Sequence, residues 1–82
     1  MNASINVLLF GITRDITGQT AIQHPLAPHA RVSDLLIQLH GQYPRLADIR
    51  ALLVAVNGEY AEPDTKLKST DEVALIPPVS GG

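Results

Sequence analysis

The chain has 82 residues, of which 45% are hydrophobic and 17% charged, and it contains no cysteine. This size and composition suit a single globular domain rather than a disordered chain. Six basic residues against eight acidic ones give a formal charge of −2, which argues against nucleic acid as a partner, and the lack of cysteine excludes disulfides, thiolate metal sites and a cysteine nucleophile.

The first predicted strand spans residues 4–11. Its alternation places Ile5, Val7 and Leu9 on one face and Leu8 and Phe10 on the other. Both faces are apolar, as in a central strand. The longest apolar run in the chain is only 7–10, too short for a membrane span or a signal-peptide core, so we expect no membrane association and a cytoplasmic protein.

A polar break over residues 12–19 follows, where the chain is expected to turn. Residues 20–24 alternate well enough for a second, antiparallel strand, which Pro25 and Pro28 end.

The strongest local pattern is an amphipathic helix that begins at Val32. Its apolar residues have helical spacing: Val32, Leu35, Leu36, Leu39 and Tyr43. Asp34 suits the first turn, where a carboxylate meets the positive end of the helix dipole, whereas Arg31 stands where a capping residue is usual. Gly41 and Pro44 mark the end of the helix.

The second half of the chain predicts three short strands. Residues 46–52 form a short helix or turn, and the strands follow as a buried one at 53–56, a return at 59–61 and a final one at 72–76. Asn57-Gly58 is a hairpin signal, and Leu67 is the apolar anchor of a polar connection. The order β-β-α-β-β-β predicts an α+β fold in which one main helix packs across one face of a mixed sheet.

Residues 77–82, Pro77-Pro78-Val79-Ser80-Gly81-Gly82, are predicted to form a flexible tail after a domain of residues 1–76. The prolines end the strand ladder, and two glycines can thread a channel that side chains would block. The terminal carboxylate of Gly82 is an anion at neutral pH and can attack an activated phosphate. Six extended residues reach roughly 20 Å, enough to enter a partner's pocket. A frayed terminus without function is the alternative.

No internal catalytic group is predicted. The spacing of His24, His29 and His40 matches no metal motif, so we expect surface residues and no metal site. Asp71 and Glu72 point to opposite faces of a strand and cannot act as an acid/base pair.

A docking surface is predicted on the sheet face that the helix leaves uncovered. Phe10 and Ile76 belong to that face, and together with Tyr60 they would form an apolar patch near the root of the tail. Burial of both faces within the monomer is the alternative.

These motifs resemble the family of small, sulfur-carrying subunits of molybdopterin synthase, which have a ubiquitin-like β-grasp fold. The resemblance spans nearly the whole chain and lies in Val7–Phe10 with Arg14, Asp15 and Gly18, the Leu35-Leu36-Leu39 helix, Ala55–Gly58, and Asp71–Ala74 running into Pro77–Gly82. The final block is the most specific part. Thr70 departs from the family, which often has glycine there, and this puts the local turn in doubt.

The resemblance implies a mechanism. A ubiquitin-E1-like enzyme would use ATP to adenylate the Gly82 carboxylate, and a sulfur donor would convert it to a thiocarboxylate. Gly81 and Gly82 would then enter the large, catalytic subunit of the synthase, where the sulfur builds the dithiolene of molybdopterin from cyclic pyranopterin monophosphate. Phe10, Tyr60 and Ile76, with Pro77, Pro78, Val79 and Ser80, would contact the partners. This chain would bind no cofactor itself, and the complex would contain two small and two large subunits.

Alternative functions share this activation chemistry. They are sulfur delivery to thiazole or an amino acid, and conjugation to protein lysines. A third alternative, which needs no activation, is a binding module whose terminus is unused.

Overall fold

The computed structural model describes residues 3–49 and 51–78 of the chain. Its elements are β1 (Ser4–Leu9), α1 (Ile12–Thr17), β2 (Ala21–Pro25), α2 (Val32–Gln42), a 3-10 helix (Pro44–Asp48), β3 (Leu53–Val56), β4 (Glu59–Tyr60) and β5 (Glu72–Ile76). The strands form one mixed sheet in the order β2-β1-β5-β3-β4. β1 and β5 are parallel, and the other neighbouring strands are antiparallel. Within the described residues, no helix is long and apolar enough to span a bilayer.

The core lies between α2 and one face of the sheet. The predicted alternation in β1 is confirmed, because Ile5 and Val7 are fully buried and Leu9 is 2% exposed. The remaining members of the buried hydrophobic cluster come from the helices, β3, β5 and the predicted anchor in the 62–71 connection: Val32, Leu35, Leu39, Leu46, Val54, Leu67, Val73 and Leu75. A helix packed across a mixed sheet is the predicted α+β architecture, which is therefore confirmed.

Residues 12–17 form a helix, so the prediction of a polar turn there was wrong, and β1 ends at Leu9 rather than at Gly11. Six residues are too few to show helical periodicity. The signal lies instead in the glycines at both ends: Gly11 has φ 56°, and Gly18 has φ 73° and donates its N–H to the Arg14 carbonyl at 2.8 Å. Left-handed glycine is a common helix terminator.

Gly11 also contacts the residue after β5. A Cβ built on Gly11 would lie 3.0 Å from Pro77 Cγ, whereas one built on Gly18 or Gly41 would meet no atom within 4 Å. Gly18 shares the positive φ of Gly11, but Gly41 lies in α2 and does not. The three glycines therefore differ both in steric contact and in backbone conformation, with ψ of −130° at Gly11 and 14° at Gly18.

We expect Gly11→Ala to destabilise the fold by about 2 to 3 kcal/mol, because it combines a disfavoured φ with a clash against a proline ring. Gly18→Ala carries the strain alone and should cost about 1 kcal/mol. Gly41→Ala should stabilise the fold by about 0.5 to 1 kcal/mol, because alanine is the better helix residue. Urea unfolding of the three variants measures the series, and equal losses for Gly11→Ala and Gly18→Ala would refute the contact with Pro77.

The start of α2 is held by a loop distant in sequence. The Val32 and Ser33 N–H groups donate to the Thr65 and Pro63 carbonyls, each at 2.9 Å, and the Asp34 carboxylate accepts from the Arg31 N–H at 2.9 Å. Free N–H groups at a helix start require partners. These contacts satisfy the N–H groups at the start of α2, although the Arg31 side chain makes no capping hydrogen bond. Because the partners are distant in sequence, residues 31–34 alone give only a weak signal for the start of the helix.

The predicted Asn57-Gly58 hairpin is confirmed, with φ of 53° and 85° at its two residues. The Asn57 side chain donates to the Asp71 carboxylate at 2.9 Å and accepts from the Glu72 N–H at 2.9 Å. The Asn57 amide and then the Lys68 N–H favour the ionised carboxylate, so they hold the pKa of Asp71 below its usual range. This network ties the β3–β4 hairpin to the start of β5. Thr70 is not among the residues with positive φ, so the turn accommodates it.

Candidate functional site

The root of the predicted tail lies at the sheet edge where β1 and β5 end. Because these strands are parallel and Leu9 pairs with Leu75, the chain leaves β1 at Phe10 next to Ile76, the last residue of β5. β3 is antiparallel to β5 and begins at the same edge, with Leu53 opposite Ile76. Pro77 and Pro78 follow, half-buried and exposed respectively. The predicted tail residues Val79, Ser80, Gly81 and Gly82 lie outside the described residues, so their roles stay predictions.

The sheet face turned away from α2 is apolar at this edge. Phe10 is 48% exposed and Tyr60 is 71% exposed, while Ile76 is partly buried. The strand register places Ile76 and Tyr60 on this face, and Phe10 lies just beyond the last residue of β1 at the same end of the sheet. Two of the three residues predicted to form a patch therefore share one face, and Phe10 is exposed beside it; their role in docking remains a prediction.

Leu53 belongs to the same surface and was missed. The sequence Leu-Val-Ala-Val predicted a wholly buried strand, but Leu53 is 44% exposed and is the cross-strand neighbour of Ile76. When every residue of a strand is apolar, the sequence does not show which residues face outward. The pairing of β3 with β5 shows it. We call Phe10, Leu53, Tyr60 and Ile76 the apolar patch.

Small residues lie in the middle of this sheet face, next to the apolar patch. Across the strands, Leu8 pairs with Ala74, Ala74 with Ala55, and Ala55 with Tyr60. Two alanines thus separate Leu8 from Tyr60 in one row. The side chains in the middle of this row are therefore smaller than those at its two ends.

The opposite end of the same face is polar. Ser4 donates to the Gln23 side chain, and Gln23 donates to Asn6, both at 3.1 Å. Ser4 and Asn6 lie in the first half of β1, away from its end at Leu9, and Gln23 is the partner of Asn6 in β2. The face is therefore divided, with its apolar half at the edge from which the tail leaves.

A cleft adjoins the root of the tail on the side of α1. Its volume is about 490 Å³, and its walls include Ile12, Ile16, Ile49, Arg45 and Pro77. Ile12 is 48% exposed. Apolar surface therefore lies next to the tail root on this side also.

The histidines do not form a site. His24 is only 8% exposed, so the prediction of three surface histidines was wrong for this residue: it lies on the core face of β2, and its Nδ1 is 2.8 Å from the Pro25 carbonyl. His29 is exposed and His40 is partly buried. Within residues 3–49 and 51–78, no cluster of three or more histidine, aspartate or glutamate residues could hold a metal ion.

Comparison with known proteins gives a family that matches almost the whole chain. The sequence model of the ThiS family matches residues 7–82. The molybdopterin synthase sulfur carrier subunit of Chlamydomonas reinhardtii is 40% identical over 81 residues, which cover 95% of this chain and 98% of that protein. The protein of the same name from Mycobacterium tuberculosis is 39% identical over 80 residues, covering 95% and 96% of the two chains.

Solved structures show the same architecture. The small archaeal modifier protein 1 of Haloferax volcanii superposes with a TM-score of 0.83 at 28% identity, covering 94% of this chain and 99% of that chain. The predicted ubiquitin-like β-grasp fold is therefore confirmed.

Proposed function

The chain belongs to the ThiS family, with molybdopterin synthase sulfur carrier subunits among its relatives, and from this membership we propose that it carries sulfur to the pterin of the molybdenum cofactor. The observation that carries the proposal is the divided sheet face. Its exposed apolar half lies at the edge where the chain continues into Pro77-Pro78 and the terminal glycines. A protein that presents its terminus to a partner needs a binding surface close to that terminus.

The proposed chemistry takes place at the Gly82 carboxyl group. A carboxylate is a poor acyl donor, so an activating enzyme first joins it to the α-phosphate of ATP, with pyrophosphate as the leaving group. A sulfur nucleophile then attacks the acyl carbon and AMP departs, which leaves a thiocarboxylate. Glycine has no side chain to hinder attack at that carbon.

The apolar patch would supply the binding energy. Ordering a glycine tail in a channel costs conformational entropy, and glycine loses more than any other residue. Burial of exposed aromatic and aliphatic side chains offsets this cost at about 25 cal/mol per Å² of apolar surface. We propose that the patch docks first on a ubiquitin-E1-like activating enzyme and then on the large synthase subunit, two copies of which would assemble with two copies of this chain.

Catalysis in the second step would come from the large subunit. Among the described residues that line the cleft beside the tail root, the titratable side chains are Arg45 and Asp48. The thiocarboxylate sulfur would attack a carbon of cyclic pyranopterin monophosphate inside the partner and replace a C–O bond with a C–S bond. Water would then cleave the acyl–sulfur bond and return Gly82 to a carboxylate, and two such deliveries would complete the dithiolene. This chain would bind no cofactor, and ATP would belong to the activating enzyme.

Mass spectrometry of the intact chain tests the proposal. After incubation with the activating enzyme, ATP and a sulfur donor, we expect the mass to rise by the replacement of one carboxyl oxygen with sulfur. Material amidated at Gly82 is the control and should stay unchanged. An unchanged mass in the free-acid protein, with the enzyme shown active on another carrier, would contradict the proposal.

Conjugation to lysine is the second candidate, and the likeness to an archaeal modifier protein favours it. The same adenylate would then react with a lysine amine, which forms an amide and releases AMP. Delivery of sulfur to thiazole or an amino acid would instead use the thiocarboxylate with a different acceptor. A stable complex with a pterin-binding large subunit would favour molybdopterin over these alternatives.

A further inference from the structure

We propose that Thr13 is a positioning residue whose hydroxyl holds Phe10 in the orientation needed for docking. The inference rests on the proposed function, because it takes the apolar patch as the surface that a partner grips. It assigns a binding role to a buried residue that no partner could touch.

The Thr13 hydroxyl bonds to both backbone polar groups of one residue. Its oxygen accepts a hydrogen bond from the Phe10 N–H at 2.9 Å, and its O–H donates to the Phe10 carbonyl at 2.6 Å. The Thr13 N–H also donates to that carbonyl, at 3.1 Å. Thr13 is fully buried, with 0% exposure. One side chain therefore clamps the peptide groups on both sides of the Phe10 Cα.

Phe10 needs such a clamp because it lies beyond the end of β1. The last residue of the strand, Leu9, donates its N–H to the Thr20 carbonyl at 2.9 Å. Phe10 comes next, and after it Gly11 has φ 56°. Beyond a strand end, backbone angles are set by local contacts rather than by the ladder. The direction of the Phe10 ring depends on those angles. The Thr13 hydroxyl therefore fixes the orientation of an exposed aromatic side chain that lies outside the strand pairing.

Two pairs of residues at position 13 isolate the hydroxyl. Threonine and valine have nearly the same shape, and serine and alanine differ by the hydroxyl alone. Thr13→Val and Thr13→Ala leave the Phe10 N–H without its side-chain acceptor, whereas Thr13→Ser retains it. If valine disturbs the packing around position 13 and Thr13→Val does not fold, the comparison of Thr13→Ser with Thr13→Ala isolates the hydroxyl instead.

The test measures the affinity of each variant for the large synthase subunit by titration calorimetry. Removing the hydroxyl breaks both of its hydrogen bonds, but the Phe10 carbonyl keeps the Thr13 N–H as a donor and only the Phe10 N–H loses its acceptor. One donor left without a partner corresponds to about a three- to tenfold effect. We expect Thr13→Val to weaken binding by that factor relative to the parent, and Thr13→Ala by the same factor relative to Thr13→Ser. Amide exchange at Phe10 should accelerate in the valine and alanine variants and stay slow with serine.

Repeating the Thr13→Val measurement in a Phe10→Ala background separates positioning from general stability. If Thr13 acts through the ring of Phe10, it has no further effect on affinity once the ring is gone. An equal loss in both backgrounds, or normal affinity for Thr13→Val while Phe10→Ala binds weakly, overturns the inference. Unchanged affinity for Phe10→Ala alone would refute the docking role of the patch itself, and with it the inference.

Discussion

Deletion of Gly82 is expected to abolish sulfur transfer and leave the fold intact. The reacting carbon would retreat by one residue, about 3.3 Å, from the position that the partner's catalytic groups address. A displacement of about 1 Å can cost 100-fold in rate, so transfer should fall at least that far. The sheet ends at Ile76, so the thermal unfolding midpoint should not change. Single-turnover conversion of the pterin precursor measures the effect.

Addition of one alanine after Gly82 gives the complementary test. The carboxyl group then stands one residue too far forward and carries a methyl group beside the acyl carbon. Insertion of one alanine after Met1 is the matched control, because it lengthens the chain by the same residue and leaves residues 77–82 unchanged. We expect transfer to be lost with the added alanine and retained in the control. Normal transfer by the extended chain would mean that the terminus is not the reacting group.

Much of the fold could be predicted because its strands carry clear local patterns. The bounds of β3 and β5 agree with the predicted strands, and the Asn57-Gly58 turn forms as expected. These segments combine β-branched residues with turn chemistry, so local preference and tertiary packing agree. The architecture could be predicted because the sequence has one long amphipathic helix, and a single helix can cover only one face of the sheet.

What the sequence did not reveal depends on partners distant along the chain. α1 is too short for periodicity, and the start of α2 is satisfied by the carbonyls of Pro63 and Thr65. Leu53 stands in an entirely apolar strand, so only its pairing with Ile76 shows that it faces outward. For the candidate site, the exposure of Phe10 and Tyr60 could be predicted, whereas the hydrogen bonds of Thr13 are visible only in the structure, and the role of the tail stays a prediction.

Phe10→Ala is expected to weaken binding to the large subunit far more than it destabilises the chain. Buried aromatic residues at the centre of an interface contribute about 2 to 4 kcal/mol, which corresponds to roughly a 30- to 1000-fold loss of affinity. Phe10 is 48% exposed in the free protein, so much of its surface becomes buried only on docking. Its loss should therefore cost less than about 1 kcal/mol of unfolding free energy.

Ile37→Ala supplies the matched control for this prediction. Ile37 is also a large apolar side chain, 70% exposed, but it lies on α2, the helix that packs against the other face of the sheet. If exposed apolar area mattered without regard to place, both variants would lose affinity. Because the apolar half of the sheet face lies beside the tail root, we expect Phe10→Ala to weaken binding and Ile37→Ala to leave it unchanged. Leu53→Ala should weaken binding for the same reason. A large stability loss with normal affinity in Phe10→Ala would instead identify Phe10 as part of the core.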